Sequence, residues 1–407
     1  MRTEPLRRAV SGLRTVPVVA MCLAPLAVRA SLPGDFLTPY AGVSTRYDDN
    51  LFRLSDDTDP TLVLGMPHTA DWSRTHFAGT GVDWQPGLQR ITAEISASQQ
   101  TYDRFDMLDN TGLSGTANWT MAAGDRFTGL ARASYQRALG SFEDFRDARK
   151  DVLTTRRSEI ELNYLVTPDI ELRVGAGNGS DRHDLETRSI SDSRSWHWLL
   201  GAAQRTPLGN RFGVEFRNDD TRYPNRDFTT LSQTDNGYTL QTASLTAAWQ
   251  GAFTELNGKI GYAWRRNDHL SERDNSGLSG DLGLRYAWSA KLALALNAYR
   301  RLESLDDALS SSITETGVEL RPTWALSDRL LVSVQGRFRD RQYQDSGRIA
   351  GVTQPRDRLL NSGLTLSYSP RSFLTLSAGV DQGWRHSNRP FYDYDYKAFN
   401  FSLQLNL

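Results

Sequence analysis

The sequence predicts an all-β chain: a single transmembrane, up-and-down antiparallel β-barrel of about 18 strands, with 16 as the alternative count. Three observations predict it. Apolar and polar residues alternate with a period of two over runs of ten or so residues. Turn-forming breakers recur about every 40 residues, with one longer polar stretch between each pair. Aromatic residues gather at the ends of the alternating runs.

The first 30 residues read as a cleavable export peptide. Arg2, Arg7, Arg8 and Arg14 give a basic start, Val16 to Val28 is mostly apolar, and Val28-Arg29-Ala30 supplies the cleavage pattern. Cys22, the single cysteine, lies in this leader, and Met21 stands where a lipoprotein needs a small residue. Residues 31–407 are then one barrel domain with no thiol chemistry. Removing the leader takes five arginines and one glutamate, leaving 42 cations against 47 anions. So balanced a charge excludes a dedicated nucleic-acid binder, and no run of about 18 apolar residues offers a membrane-spanning helix.

Tight turns fall at Gln85-Pro86-Gly87, Ala123-Gly124-Asp125, Thr167-Pro168-Asp169, Pro207-Leu208-Gly209-Asn210, Gln250-Gly251, Ser289-Ala290, Ser327-Asp328 and Ser369-Pro370-Arg371. The longer polar stretches include Ser141–Asp151, Ser180–Ser193, Asn218–Asn236, Arg265–Asn275 and Arg339–Arg358. Eight tight turns join 16 strands; a first strand, Leu37–Tyr47, and a last, Asp395–Leu407, bring the count to 18 with both ends periplasmic. Ala243–Trp249 runs out of phase with Tyr238–Leu240, which suggests a bulge or a miscount there.

The alternation is clear in the last strand, where Phe399, Phe401, Leu403, Leu405 and Leu407 share one face and Asn400, Ser402, Gln404 and Asn406 the other. Soluble sandwiches alternate too, but their strands are usually about five or six residues long. Runs of 10–12 match a tilted bilayer crossing. Trp84, Tyr164, Trp249, Trp288, Trp324 and Tyr368 sit just before tight turns, and Trp196, Trp198, Tyr262 and Trp264 near the opposite ends. Two such rows are the aromatic girdles of an outer-membrane barrel. Outer-membrane lipids and the barrel-assembly machinery are the partners this implies. The terminal residue is Leu407 where Phe is common in such barrels, with Phe399 and Phe401 shortly before it.

A barrel of this size encloses water unless a loop plugs it. Alternation turns Arg46, Glu94, Arg132, Glu161, Arg173, Arg217, Asp281, Arg285, Glu319, Arg321, Arg337 and Arg339 into the lumen. Glu159, Glu171, Glu215, Lys259, Glu315 and Asp381 join them. Only four of the 47 cations are lysines. Arginine forks paired to carboxylates across strands would stabilise such a wall, and they also hydrogen-bond hydroxyl and carboxylate groups of a passing solute. The outer stretches Tyr47–Asn50, Phe142–Phe145 and Phe391–Tyr396 mix aromatics with charges; taken singly each reads first as a solvated loop tip, and sugar contact is the alternative. The stretch Asp48–Asp71, with Leu62, Val63, Leu64 and Met66, is the plug candidate.

Catalysis has little support. The six histidines are scattered without metal-ligand spacing, no nucleophile motif accompanies His197, and no cofactor is implied.

Tyr40-Ala-Gly-Val-Ser-Thr-Arg-Tyr-Asp-Asp-Asn-Leu-Phe-Arg-Leu54 resembles the start of the EpsL family, barrel porins of exosortase-associated exopolysaccharide operons. Asp48-Asp49-Asn50-Leu51-Phe52-Arg53-Leu54 is the specific part. The resemblance implies outward passage of an exopolysaccharide chain with a periplasmic polysaccharide-export partner, and it supplies no catalytic residues. An uptake porin for small sugars or acids, and a non-conducting surface anchor, are the competing expectations.

Overall fold

A computed structural model of the chain describes residues 36–145, 148–228, 235–303, 312–343 and 354–407. The expected leader lies outside these residues. Among them run eighteen strands: β1 Leu37–Asp48, β2 Asp71–Trp84, β3 Arg90–Tyr102, β4 Asn110–Ala123, β5 Phe127–Leu139, β6 Val152–Thr167, β7 Ile170–His183, β8 Ser193–Arg205, β9 Arg211–Arg222, β10 Gly237–Gln250, β11 Thr254–Asn267, β12 Asn275–Ala287, β13 Leu292–Glu303, β14 Ile313–Ser327, β15 Leu330–Tyr343, β16 Arg356–Arg371, β17 Leu374–Ser387 and β18 Tyr394–Asn406. One short helix, α1 Pro60–Leu64, caps the connection after β1. Each strand pairs antiparallel with the next, and β1 closes on β18 from Tyr40↔Asn406 to Asp48↔Ala398. Closure gives every strand two hydrogen-bonded neighbours, so no open edge faces lipid.

The eight expected tight turns all fall at one end of the ring, although β16 runs through Ser369–Arg371 before turning; outer-membrane barrels place their short turns on the periplasmic side. Gly87, Gly124 and Gly209 sit in three of these turns with φ between 59° and 82°, a backbone state that costs a side-chain-bearing residue more than glycine. Register shifts occur at Leu165/Thr167, Ala325/Ser327 and Tyr368/Arg371, next to turns. None occurs where the phase break suggested one: β10 is in continuous register with β9 and β11. Tyr238 and Leu240 simply face inward, and the Arg265 guanidinium lies 3.7 Å from the Tyr238 ring centre.

The outer ends of several strands reach further than the polar stretches suggest. Ser180–His183 belongs to β7, Asn218–Arg222 to β9, and Arg339–Tyr343 to β15. Cross-strand pairing continues through polar sequence there because both faces meet water or other polar groups rather than lipid.

Exposed apolar residues lie on the outward faces, among them Ile95, Ile160, Leu200, Val214, Leu245, Ile260, Val318 and Phe399. Trp84, Tyr164, Trp249, Trp324 and Tyr368 ring the periplasmic edge of this band, and Trp72, Trp196, Tyr262 and Trp264 the outer edge. The packed apolar core lies elsewhere, in the outer mouth. Phe52, Leu54, Tyr102, Phe105, Leu108, Leu139 and Phe142 are buried together, drawn from the connections after β1, β3 and β5 and the strand ends beside them. Phe52 meets Phe105 and Phe142 edge-on, with ring centres 4.8 and 4.7 Å apart.

Inside the barrel, glycines make room for aromatic rings on the neighbouring strand. A Cβ on Gly79 would lie 2.6 Å from the Tyr40 ring and 2.6 Å from the Ile95 carbonyl oxygen. Because one of those neighbours is backbone, the site cannot simply give way. Gly79→Ile is therefore expected to destabilise the barrel by about 1–3 kcal/mol, read as a lower midpoint in the heat-induced loss of folded electrophoretic mobility. An unchanged midpoint would refute the packing account.

Candidate functional site

The Asp48–Leu54 segment builds a rigid corner at the end of β1. The Asp48 carboxylate accepts two hydrogen bonds from the Arg53 fork, at 2.8 and 2.9 Å, and one from the Asn50 backbone N–H at 3.1 Å. The Asn50 side chain accepts from the Leu54 N–H and donates to the carbonyls of Leu54 and Asp395, all within 2.9 Å. Arg53 stacks on Tyr396 at 3.6 Å and holds a left-handed φ of 56°. That strained backbone is tolerated because its side chain is bound on both sides. Asp49 ties the corner to β18 through reciprocal bonds with Lys397. The result is a fully buried Phe52 presented to Phe142.

Phe142 begins the segment that crosses the lumen. The connection between β5 and β6 reaches the wall formed by β15–β17, on the opposite side of the ring. Arg339 donates both Nη groups to the Glu143 carboxylate at 2.8 Å each, and Arg341 approaches it at 3.1 Å. Arg341 also donates to Asp144 at 2.8 Å, and Arg385 to the Glu143 carbonyl at 2.8 Å. Behind this first layer, Arg341 Nε donates to Glu315 at 2.6 Å; Glu315 also accepts from the Tyr299 hydroxyl at 2.6 Å. Arg337 donates to that hydroxyl at 3.0 Å. Asp357, fully buried, pairs with Arg385 and accepts from Tyr343.

Burial disfavours the Glu143 carboxylate, but the Arg339 and Arg341 charges outweigh it. The carboxyl is held well below the usual carboxylate range.

Strand phase points all twelve candidate lumen residues inward, and they spread around the whole ring rather than forming one site. Most are paired. Arg46 forks onto Asp381 at 2.7 and 2.8 Å. Arg173 bridges to Glu215 at 2.9 Å and approaches Glu161 at 4.0 Å; Arg132 approaches Glu159 at 3.8 Å. Arg217 pairs with Asp219 at 2.8 Å, Arg285 with Glu255 at 3.2 Å, Arg321 with Glu319 at 2.7 Å, and Asp281 with Arg301. Glu94 accepts from the Tyr40 hydroxyl at 2.7 Å. Of the twelve, Arg339 is the one that contacts the crossing segment directly among the described residues.

Two expectations change. Asp48–Asp71 is not the segment across the lumen: Leu62 is 85% exposed and Val63 faces water, while Leu64 and Met66 pack on the mouth cluster. The sugar-binding expectation for the outer stretches also weakens, since Asp48, Phe142 and Tyr394 are buried in contacts within the protein. Arg341 and Arg385 are the residues that sequence reasoning missed; Glu143 and Asp144 fall inside the Phe142–Phe145 stretch, whose sequence reads as an outer loop and not as a segment docked on the far wall. Arg337, Arg339 and Arg341 alternate on one face, so a strand extended past Arg339 would have revealed Arg341. Nothing local marks Glu143 as a docking group, since its partner lies 196 positions away.

The family model described as "Putative beta-barrel porin 2" matches residues 220–407. No curated protein matches the chain. Among solved structures the chain is similar to OpdK of Pseudomonas aeruginosa with vanillate, at 10% identity and a TM-score of 0.47, covering 91% of this chain and 99% of that one. It is similar to OccAB3 of Acinetobacter baumannii at 10% and 0.48, covering 91% and 99%. It is also similar to OccK2 (OpdF) of Pseudomonas aeruginosa in complex with glucuronate, at 12% and 0.45, covering 91% and 98%.

A closed eighteen-strand ring, an apolar outer band between two aromatic girdles and a charged interior define an outer-membrane β-barrel porin. The match of its second half to a porin family agrees.

Glu143→Gln removes one charge facing two buried arginines. Losing one partner of a buried ion pair costs about 3–5 kcal/mol, so the crossing segment should detach and single-channel conductance should rise. Unaltered conductance in a folded variant would contradict the clamp. The pH response has a definite sign. A carboxyl with a lowered folded-state pKa stabilises docking above its ordinary value, about 4.3, and loses that contribution only as pH falls through the lowered one. Conductance at pH 5 should therefore match that at pH 7; widening between them would place the clamp elsewhere.

Proposed function

We propose that this porin conducts a hydroxyl-rich or acidic carbohydrate passively, and that in the cell it carries a newly made exopolysaccharide outward. The observation that supports this most is the ladder of paired arginines and carboxylates distributed around the wall. A paired guanidinium still offers donors to a hydroxyl, but its charge is already compensated. The wall therefore presents many weak contacts and no deep trap, as conduction of a chain requires. The resemblance at Tyr40–Leu54 is what supports outward travel and a periplasmic polysaccharide-export partner.

For a polymer to pass, the Phe142–Asp144 tip must leave the β15–β17 wall. Its attachment there is through side-chain and single backbone bonds rather than a β-ladder, so it can detach without unpairing the barrel. The same clamp favours a second reading, an uptake porin for small sugars or sugar acids, because a docked tip narrows the passage.

Deletion of the gene separates the two. Export predicts loss of surface polymer with accumulation in the periplasm, restored by the wild-type gene. Undiminished surface polymer, together with loss of growth on a sugar acid, would replace export with uptake.

A further inference from the structure

Arginine is used differently on the two faces of the wall. Inside, most guanidiniums have a carboxylate partner. Outside, at the outer ends of β5–β9 and β11, Arg137, Arg156, Arg182, Arg194, Arg222 and Arg266 share strand phase with the lipid-facing residues. Arg194 is in phase with Trp196 and Leu200, and Arg266 with Trp264 and Ile260. Register aligns three of them in one row: Arg156 opposes Ser180, Ser180 opposes Arg194, and Arg194 opposes Arg222. Arg137 and Arg182 flank Thr154 one step further out.

The charge on this belt is poorly compensated. Arg222 pairs with Asp220 and Asp268, and Arg137 bonds Thr111. Arg156 lies 5.5 Å from the Tyr135 ring centre. Arg182, Arg194 and Arg266 are exposed and have no ion-pair or hydrogen-bond partner among the described residues. Arg194 stands directly opposite Arg222, whose charge Asp220 and Asp268 already meet, and has no such carboxylate of its own among the described residues. An anion bound at Arg156, Arg182 and Arg194 would supply the missing partner.

Position identifies the anion. On β8 and β11 the arginine lies one outward-facing position beyond the girdle tryptophan, about 7 Å nearer the outer end of the strand. Tryptophan marks the headgroup boundary, so the guanidiniums reach the phosphate layer of the outer leaflet. Their planar forks fit phosphate bidentately.

We propose that this belt binds the phosphorylated headgroup of an outer-leaflet glycolipid. The proposal rests on barrel orientation and is independent of what the lumen carries.

The purified barrel in lipid nanodiscs would be titrated with diphosphorylated lipid A and with its dephosphorylated form, and retained lipid read by native mass spectrometry. Wild type should prefer the phosphorylated form at least about tenfold. A triple variant, Arg156→Gln, Arg182→Gln and Arg194→Gln, should abolish the preference, and the matching lysine triple should keep part of it. Inorganic phosphate at millimolar concentration should not displace the lipid. Equal retention of both forms by wild type, a preference surviving in the glutamine triple, or displacement by inorganic phosphate would each overturn the proposal. Unchanged single-channel conductance in both triples would show that the barrel is folded.

Discussion

Backbone hydrogen bonding in a medium without water governs this structure. Each N–H or C=O left unpaired in hydrocarbon costs several kcal/mol, and eighteen strands escape that cost by closing β1 onto β18. Once the ring is closed, the two-residue period of a strand divides every side chain between lipid and lumen. Apolar residues take the outside, and charges in the strands are sent either inward or to the ends. The inward charges then face low-dielectric walls on one side and a confined aqueous space on the other. The paired arginines and carboxylates are the response: Arg46 with Asp381, Arg173 with Glu215, Arg339 with Glu143.

The same logic explains why the most motif-like segment is not itself a binding site. Asp48–Leu54 directs its polar side chains at each other and at β18, and sends Phe52 into the mouth cluster. Phe52 supports Phe142, and Phe142 precedes the two carboxylates docked on β15–β17. A corner at one end of β1 thus helps set the height of a constriction held on the far wall. The segment's value to the molecule lies in rigidity, supplied by bidentate pairing and a strained Arg53 that few alternative conformations could satisfy.

Much of this was legible in the sequence, because period and turn chemistry are local. The hairpin repeat, the strand count and the inward phase of residues such as Glu319 and Arg321 follow from positions within a dozen residues of one another. The phase break at Tyr238–Leu240 misled because alternation reports polarity, not direction; a tyrosine facing inward over Arg265 looks like a slipped strand. Strand ends were set too early at Arg339 and Ser180, since polar sequence resembles a loop once it leaves the bilayer. The constriction was out of reach for a different reason. It joins residues on opposite sides of a ring, and hairpin pairing carries no information about which connection folds across.

The crossing segment therefore sits at a boundary between two kinds of stability. The barrel beneath it is a continuous ladder whose bonds cannot be broken singly without exposing backbone to lipid. The clamp above it is a small set of charge-assisted side-chain bonds, each buried enough to be strong and none needed to keep the ring closed. Buried ion pairs are often no more stabilising than apolar packing, but they are more demanding of geometry. In a channel that difference has a use. An apolar plug would be held wherever it fitted, whereas Glu143 and Asp144 are held only where Arg339, Arg341 and Arg385 converge. The passage can thus have one defined narrow state without committing the fold to it.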